Sequence, residues 1–172
     1  MNKVTQEEFD AFKLRVINAI MRDVDEYGTK NSNFEFHPTL YLKPYNKNYK
    51  IAPLPGQLFM DDDCKDLAVN LSREMIKLSE SPMMSFVTEG YQAKISGDAD
   101  LDDLPRPSQL PEDQRDEVIF LCFECKNLDQ YCISFIKKYN NETRKWKLTP
   151  SNFGETKEHV KSSGRFSNFY NK

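Results

Sequence analysis

Histidine is almost missing from this chain: His37 and His159 are the only two in 172 residues. A metal centre built on several imidazoles is therefore excluded, and acid–base chemistry would rest on Asp, Glu, Lys and Tyr. No run approaches the roughly 20 apolar residues that a membrane helix requires. The first ten residues are charged and hold no apolar run of the kind a secretion signal carries. The expected location is the cytoplasm, with no membrane contact. Cysteine is sparse as well, and four of them in such a chain read as free buried thiols rather than a disulfide framework. The Walker loop, G-x-G-x-x-G, G-x-S-x-G and H-E-x-x-H are all absent, so no nucleotide, cofactor or zinc is implied. Whether the chain is an enzyme stays open, and the absences favour a non-enzymatic role.

What is present is enough for one hydrophobic core. Residues of the hydrophobic set make up 38%, aromatics 12% and charged residues 30%, a balance that describes one soluble domain over residues 1–172. Net charge is −3, unevenly spread. Residues 58–125 carry 16 acidic and 6 basic side chains, whereas 126–172 carry 10 basic and 4 acidic ones. The two regions could neutralise each other or present faces of opposite sign to partners.

Local signals predict the elements. Thr5 and Glu8 form a capping box with Val4 and Phe9 as its hydrophobic staple. Phe9, Phe12, Val16, Ile20, Val24 and Tyr27 recur at helical spacing up to Gly28, giving a helix over 5–27. Phe34, Phe36, Leu40 and Leu42 share one parity around Pro38, which suggests an edge strand or two short ones. A further short strand is expected near 49–52. The carboxylates of Asp61, Asp62 and Asp63 suit the start of a second helix. Its expected buried face is Cys64, Leu67, Ala68, Leu71, Met75 and Leu78. Strands follow over 83–95 and 118–125, the latter almost continuously apolar and so expected to be covered on both sides. A hairpin is expected from 130–139 and 144–148, with Trp146 and Leu148 facing the same way. An acidic, proline-containing loop occupies 96–117. The polar tail over 151–172 has a composition that allows flexibility, with Phe166, Phe169 and Tyr170 as its aromatics.

Several constellations are candidates for chemistry. Glu89 shares a parity with Val87, Tyr91, Ala93 and Ile95, so it should point toward the core, where a carboxylate needs a partner or a raised pKa. It reads either as a functional carboxylate or as one paired to Arg or Lys for structure. Asp98, Asp100, Asp102 and Asp103 begin like a calcium loop, but the turn glycine and the terminal Glu are missing, and a solvated acidic loop fits better. Cys122 and Cys125 would face opposite sides of a strand, which does not make a metal site. Cys125 and Cys132 could oppose each other across a tight hairpin. Lys137, Lys138, Arg144, Lys145 and Lys147 alternate with Tyr131, Tyr139 and Trp146, and Lys157, Lys161 and Arg165 follow. Such a set could bind nucleic acid, or its lysines could guard an exposed edge.

The stretch Ser85-Phe86-Val87-Thr88-Glu89-Gly90-Tyr91, followed by Pro107-Ser108, Pro111 and Arg115-Asp116-Glu117-Val118, resembles a loosely defined family of uncharacterised small bacterial and phage proteins. That family carries Glu, a small residue and an aromatic at the end of one strand, then a Pro and Arg-Glu segment leading into the next. Gly90 and Tyr91 stand where Ala and Trp are expected, and Asp116 intervenes before Glu117. The resemblance implies no activity. It does imply that Glu89, Tyr91 and Arg115 form one neighbourhood, with Glu89 and Arg115 as a candidate pair.

The expectation is thus an α+β fold: two amphipathic helices packed on one face of a mostly antiparallel sheet of four to six strands. The leading functional expectation is a protein-binding module, an accessory or inhibitory protein of phage or bacterial type, with the aromatic tail able to dock on a partner. Nucleic-acid binding through Lys145, Trp146 and Lys147 is one alternative. A divalent-metal-assisted hydrolase or nuclease centred on Glu89 is the other. Nothing in the residues specifies a homo-oligomer.

Overall fold

The computed structural model describes residues 3–28, 34–45, 47–94, 105–151 and 169–170. Two helices, α1 (Gln6–Tyr27) and α2 (Asp62–Leu78), pack with six strands: β1 (Thr39–Lys43), β2 (Lys50–Pro53), β3 (Met83–Ala93), β4 (Arg115–Cys125), β5 (Leu128–Asn140) and β6 (Lys145–Pro150). The sheet order is β2-β1-β3-β4-β5-β6, and every neighbouring pair is antiparallel. The α+β architecture read from the sequence is the one the chain adopts.

Helix α1 begins as expected. The Thr5 hydroxyl accepts the Glu8 amide N–H, the Glu8 carboxylate accepts the Thr5 N–H, and both staple residues are buried. Phe9, Phe12, Val16, Ile20 and Val24 are buried, each stabilising the fold by about 1.5–3 kcal/mol. Tyr27, by contrast, is 57% exposed. Gly28 closes the helix in ordinary right-handed geometry, φ −65°, with its N–H donated to Val24. Glycine is needed there for space instead: a Cβ would lie 2.4 Å from the Val24 carbonyl and 3.0 Å from the Trp146 ring.

The helices lie on opposite faces of the sheet, not on one. Alternate residues of a strand point to opposite sides, and β3 is apolar at both parities. Met83 and Val87 join α1, Tyr41, Ile119, Leu121, Phe123 and Phe135 in one core, while Met84 and Phe86 join Val69, Ile76, Leu40, Leu42 and Leu54 in the other. Helix α2 is also rotated from its expected face. It buries Ala68, Val69, Ser72 and Ile76, whereas Leu67, Leu71 and Leu78 are 58%, 42% and 81% exposed. Ser72 tolerates this burial because its hydroxyl donates to the Ala68 carbonyl at 2.8 Å, leaving no polar group unsatisfied.

Proline explains a third difference. β1 starts just after Pro38, so the missing N–H costs no ladder bond, and the strand lies inside the sheet between β2 and β3 rather than at its edge. The parity of 34–42 also breaks there, because Phe36 packs with the α1 core and Leu40 and Leu42 with the α2 core. β4 starts at Arg115, three residues before the expected strand, and the loop is correspondingly shorter. Phe120 on β4 is 38% exposed, so the cover expected over both sides of that strand is incomplete. The proposed docking aromatics are used internally: Phe169 is 6% exposed against Phe86, and the Tyr170 hydroxyl donates to the Ser81 carbonyl. The run 98–103, Ile95, Lys157, His159, Lys161, Arg165 and Phe166 lie outside the described residues.

Candidate functional site

β1 pairs with β3 only from Lys43↔Met83 to Thr39↔Val87. Beyond that point β3 continues through Thr88–Ala93 without β1 beside it, and the chain entering β1 crosses over instead. A cleft of about 310 Å³ opens there, lined by Glu35–Pro38, Gly56, Phe59, Thr88–Tyr91 and Glu117.

Register sets the chemistry of its floor. Glu117 lies opposite Tyr91 on β3 and two residues along β4 from the Glu89↔Ile119 pair, and β5 brings Lys137 to the same row. The Lys137 side chain is 1% exposed, that of Glu89 15% and that of Glu117 36%. Lys137 Nζ is in contact with Glu89 Oε1, lies 3.0 Å from Glu117 Oε1, donates to the Phe34 carbonyl at 2.6 Å and sits 4.4 Å from the centre of the Trp146 ring. Glu89 Oε2 accepts the Phe36 N–H at 2.6 Å. The cluster therefore ties the 34–36 segment to the sheet. Lysine is tolerated at this depth because its ammonium meets two carboxylates, a carbonyl and a ring face.

The two carboxylates of the cluster are shifted in opposite directions. Burial, reinforced by the hydrogen bond to Glu117, pushes Glu89 up to about 7. Burial acts in the same sense on Glu117, but the hydrogen bonds from Glu89 and Lys137 outweigh it and hold Glu117 below its ordinary value. The opposite shifts of two residues of one type are set by environment rather than by residue type.

Glu89 does face inward, as its parity predicts, but its partner is Lys137 and not Arg115. Arg115 instead stacks on the Tyr91 ring at 4.2 Å and reaches the Ser108 carbonyl. Tyr91 and Glu89 line the same cleft, and Glu117, part of the quoted Arg-Asp-Glu segment, completes it. An Ala at Gly90 would meet Phe120 at 3.9 Å, an ordinary contact, so either residue suits this backbone. From sequence Lys137 reads as one of the outer lysines, and only the pairing of β5 with β4 reveals it as the buried counter-ion. An isolated lysine in an otherwise apolar parity, Phe135 then Lys137, was the available signal.

The basic hairpin divides by parity. Trp146 and Leu148 pack inward against the α1 core, whereas Lys145 and Lys147 are exposed. Lys138 and Lys147 are register partners, and Lys138 lies 3.9 Å from Asp116. Trp146 and the exposed lysines therefore face different ways, which separates the stacking group from the phosphate-binding groups. Among the described residues no three His, Cys, Asp or Glu side chains are grouped to hold a metal ion, and no helix is long and apolar enough to cross a membrane.

Fold and site together define a small α+β domain with an acidic cleft beside its third strand. Compared with known proteins, the chain matches no family model, no curated relative and no solved structure.

Proposed function

We propose that the chain is a protein-binding module that seats a basic side chain of its partner in the cleft beside β3. One observation carries this reading: Glu35, Glu89 and Glu117 line the cleft, while Lys137, the counter-ion of Glu89 and Glu117, is 1% exposed. The cleft consequently keeps an excess of negative charge. A lysine or arginine entering it would donate charge-assisted hydrogen bonds to Glu117, the more exposed carboxylate of the ion cluster, and would meet Phe59 and Tyr91 at the walls. The hydrolase reading receives less support, because Glu89 already accepts from Phe36 and Lys137, and a metal ion would have to compete with that ammonium.

A random-sequence peptide array probed with the full-length protein tests the proposal. Bound peptides should be enriched in lysine or arginine, and replacing that residue by norleucine or citrulline should weaken binding tenfold or more, about 1.4 kcal/mol. Glu117→Gln should do the same without unfolding the protein. Equal binding of the neutral analogues, or no effect of Glu117→Gln, would overturn it.

A further inference from the structure

On the sheet face opposite Glu117 and Lys137, the same two strands carry a second reactive pair. Cys122 and Cys132 are direct register partners across β4 and β5, a pairing in place of the Cys125–Cys132 opposition considered from sequence. Cys125 instead lies opposite Leu128, on the other sheet face, 7% exposed. Cys64 lies on α2, outside the β4–β5 pair. Directly opposed residues of antiparallel strands have Cα atoms about 4.5–5.5 Å apart, inside the roughly 4.4–6.8 Å that a disulfide spans. The two side chains share one face of the sheet as register neighbours, and Gln130 Nε2 donates to Cys122 Sγ at 2.7 Å. Both cysteines are partly exposed, so a small reagent can reach them.

We propose that Cys122 and Cys132 form a reversible intramolecular disulfide when the protein meets a small disulfide oxidant such as glutathione disulfide. The neighbouring Cys122 holds the Cys132 thiol below its ordinary pKa, while Cys132 and burial together push Cys122 up. Cys132 is thus the attacking sulfur. It loses its proton to solvent, attacks one sulfur of glutathione disulfide and releases one glutathione thiolate, leaving a mixed disulfide on Cys132. Cys122 then loses its proton, attacks the Cys132 sulfur and releases the second glutathione. Both leaving thiolates are protonated, so two cysteine thiols are oxidised and one glutathione disulfide is reduced to two thiols. The new bond would clamp the register of the two strands that carry Glu117 and Lys137, five positions from each.

The test treats the reduced, folded, full-length protein with glutathione disulfide and maps its bonds by mass spectrometry of non-reduced peptides. The expected product has lost two hydrogens and joins Cys122 to Cys132, with Cys64 and Cys125 still open to alkylation after denaturation. The Cys64→Ser/Cys125→Ser double variant should form the bond at the same rate. Cys122→Ser should stop at the glutathione adduct on Cys132. Four alkylatable thiols, a bond involving Cys64 or Cys125, or an adduct at Cys132 that persists in the wild-type chain would each overturn the proposal. It is independent of what the acidic cleft binds.

Discussion

Replacing Lys137 by Met keeps the aliphatic stem and removes only the charge. Glu89 and Glu117 then face each other without the ammonium that lies between them, and the Phe34 carbonyl loses its donor. Breaking a buried pair by deleting one partner typically costs about 3–5 kcal/mol. The lower end applies here, because Glu117 is 36% exposed and Glu89 can escape by taking up a proton. A loss of about 3 kcal/mol at pH ~8 corresponds to a fall in melting temperature of roughly 6–12 °C for a chain of this size. The sign of the pH effect follows from the carboxylate left behind. Without Lys137 the folded pKa of Glu89 rises further above its unfolded value, so the folded state binds a proton the unfolded chain has released. Lowering the pH toward about 5 should therefore restore much of the lost stability. Adding Glu89→Gln to Lys137→Met should recover part of it at pH ~8 and little near pH ~5, since the neutral amide oxygen can still accept the Phe36 N–H. Urea denaturation at several pH values is the assay. A loss below about 1 kcal/mol at pH ~8, the size of a surface pair, would refute the reasoning, as would a loss that does not change with pH.

In the wild-type chain, burial raises Glu89 to about 7 from an ordinary 4.5, so the stability measured by urea midpoints should fall as pH rises through that window, by on the order of 3 kcal/mol. The lowered Glu117 contributes in the opposite sense, its stabilisation being lost as pH drops below 4.5, which places the expected maximum near pH ~5. The rotation of α2 is checked by a pair of variants: Leu71→Glu should change stability by no more than about 0.5 kcal/mol, whereas Ile76→Ala should cost about 2–5 kcal/mol. Equal effects would contradict the assigned face. Gly28→Ala should destabilise by about 1–3 kcal/mol through overpacking, and an additional Trp146→Phe substitution should relieve part of that cost in thermal melts.

The helices and most strands were legible because each rests on a local signal: the Thr5–Glu8 box, the carboxylates at Asp61, the turn after Asn140. Which side of the sheet each helix covers was not, since β3 is apolar at both parities and nothing local distinguishes Val87 from Phe86. The buried face of α2 failed for a related reason. Its leucines outscore Ser72 in any apolar pattern, yet a serine that bonds its own helix can be buried. Glu89 announced itself by parity, whereas its counter-ion sits 48 residues away and becomes visible only once strands β3, β4 and β5 are laid side by side.

Two distant parts of the chain converge on one turn. Asn127 receives the Val4 N–H and donates to the Val4 carbonyl, while Glu124, three residues earlier, accepts the Phe169 N–H at 2.8 Å. Val4 and Phe169 belong to the two different cores. During synthesis the α1 core can therefore begin to consolidate once β5 has emerged, whereas the α2 core keeps an open seat until Phe169 is delivered. Contacts that span the chain this widely slow folding, and the vacancy exposes Phe86 and its neighbours in the interval. A released chain truncated before residue 169 should accordingly bind chaperones more than the full-length chain does.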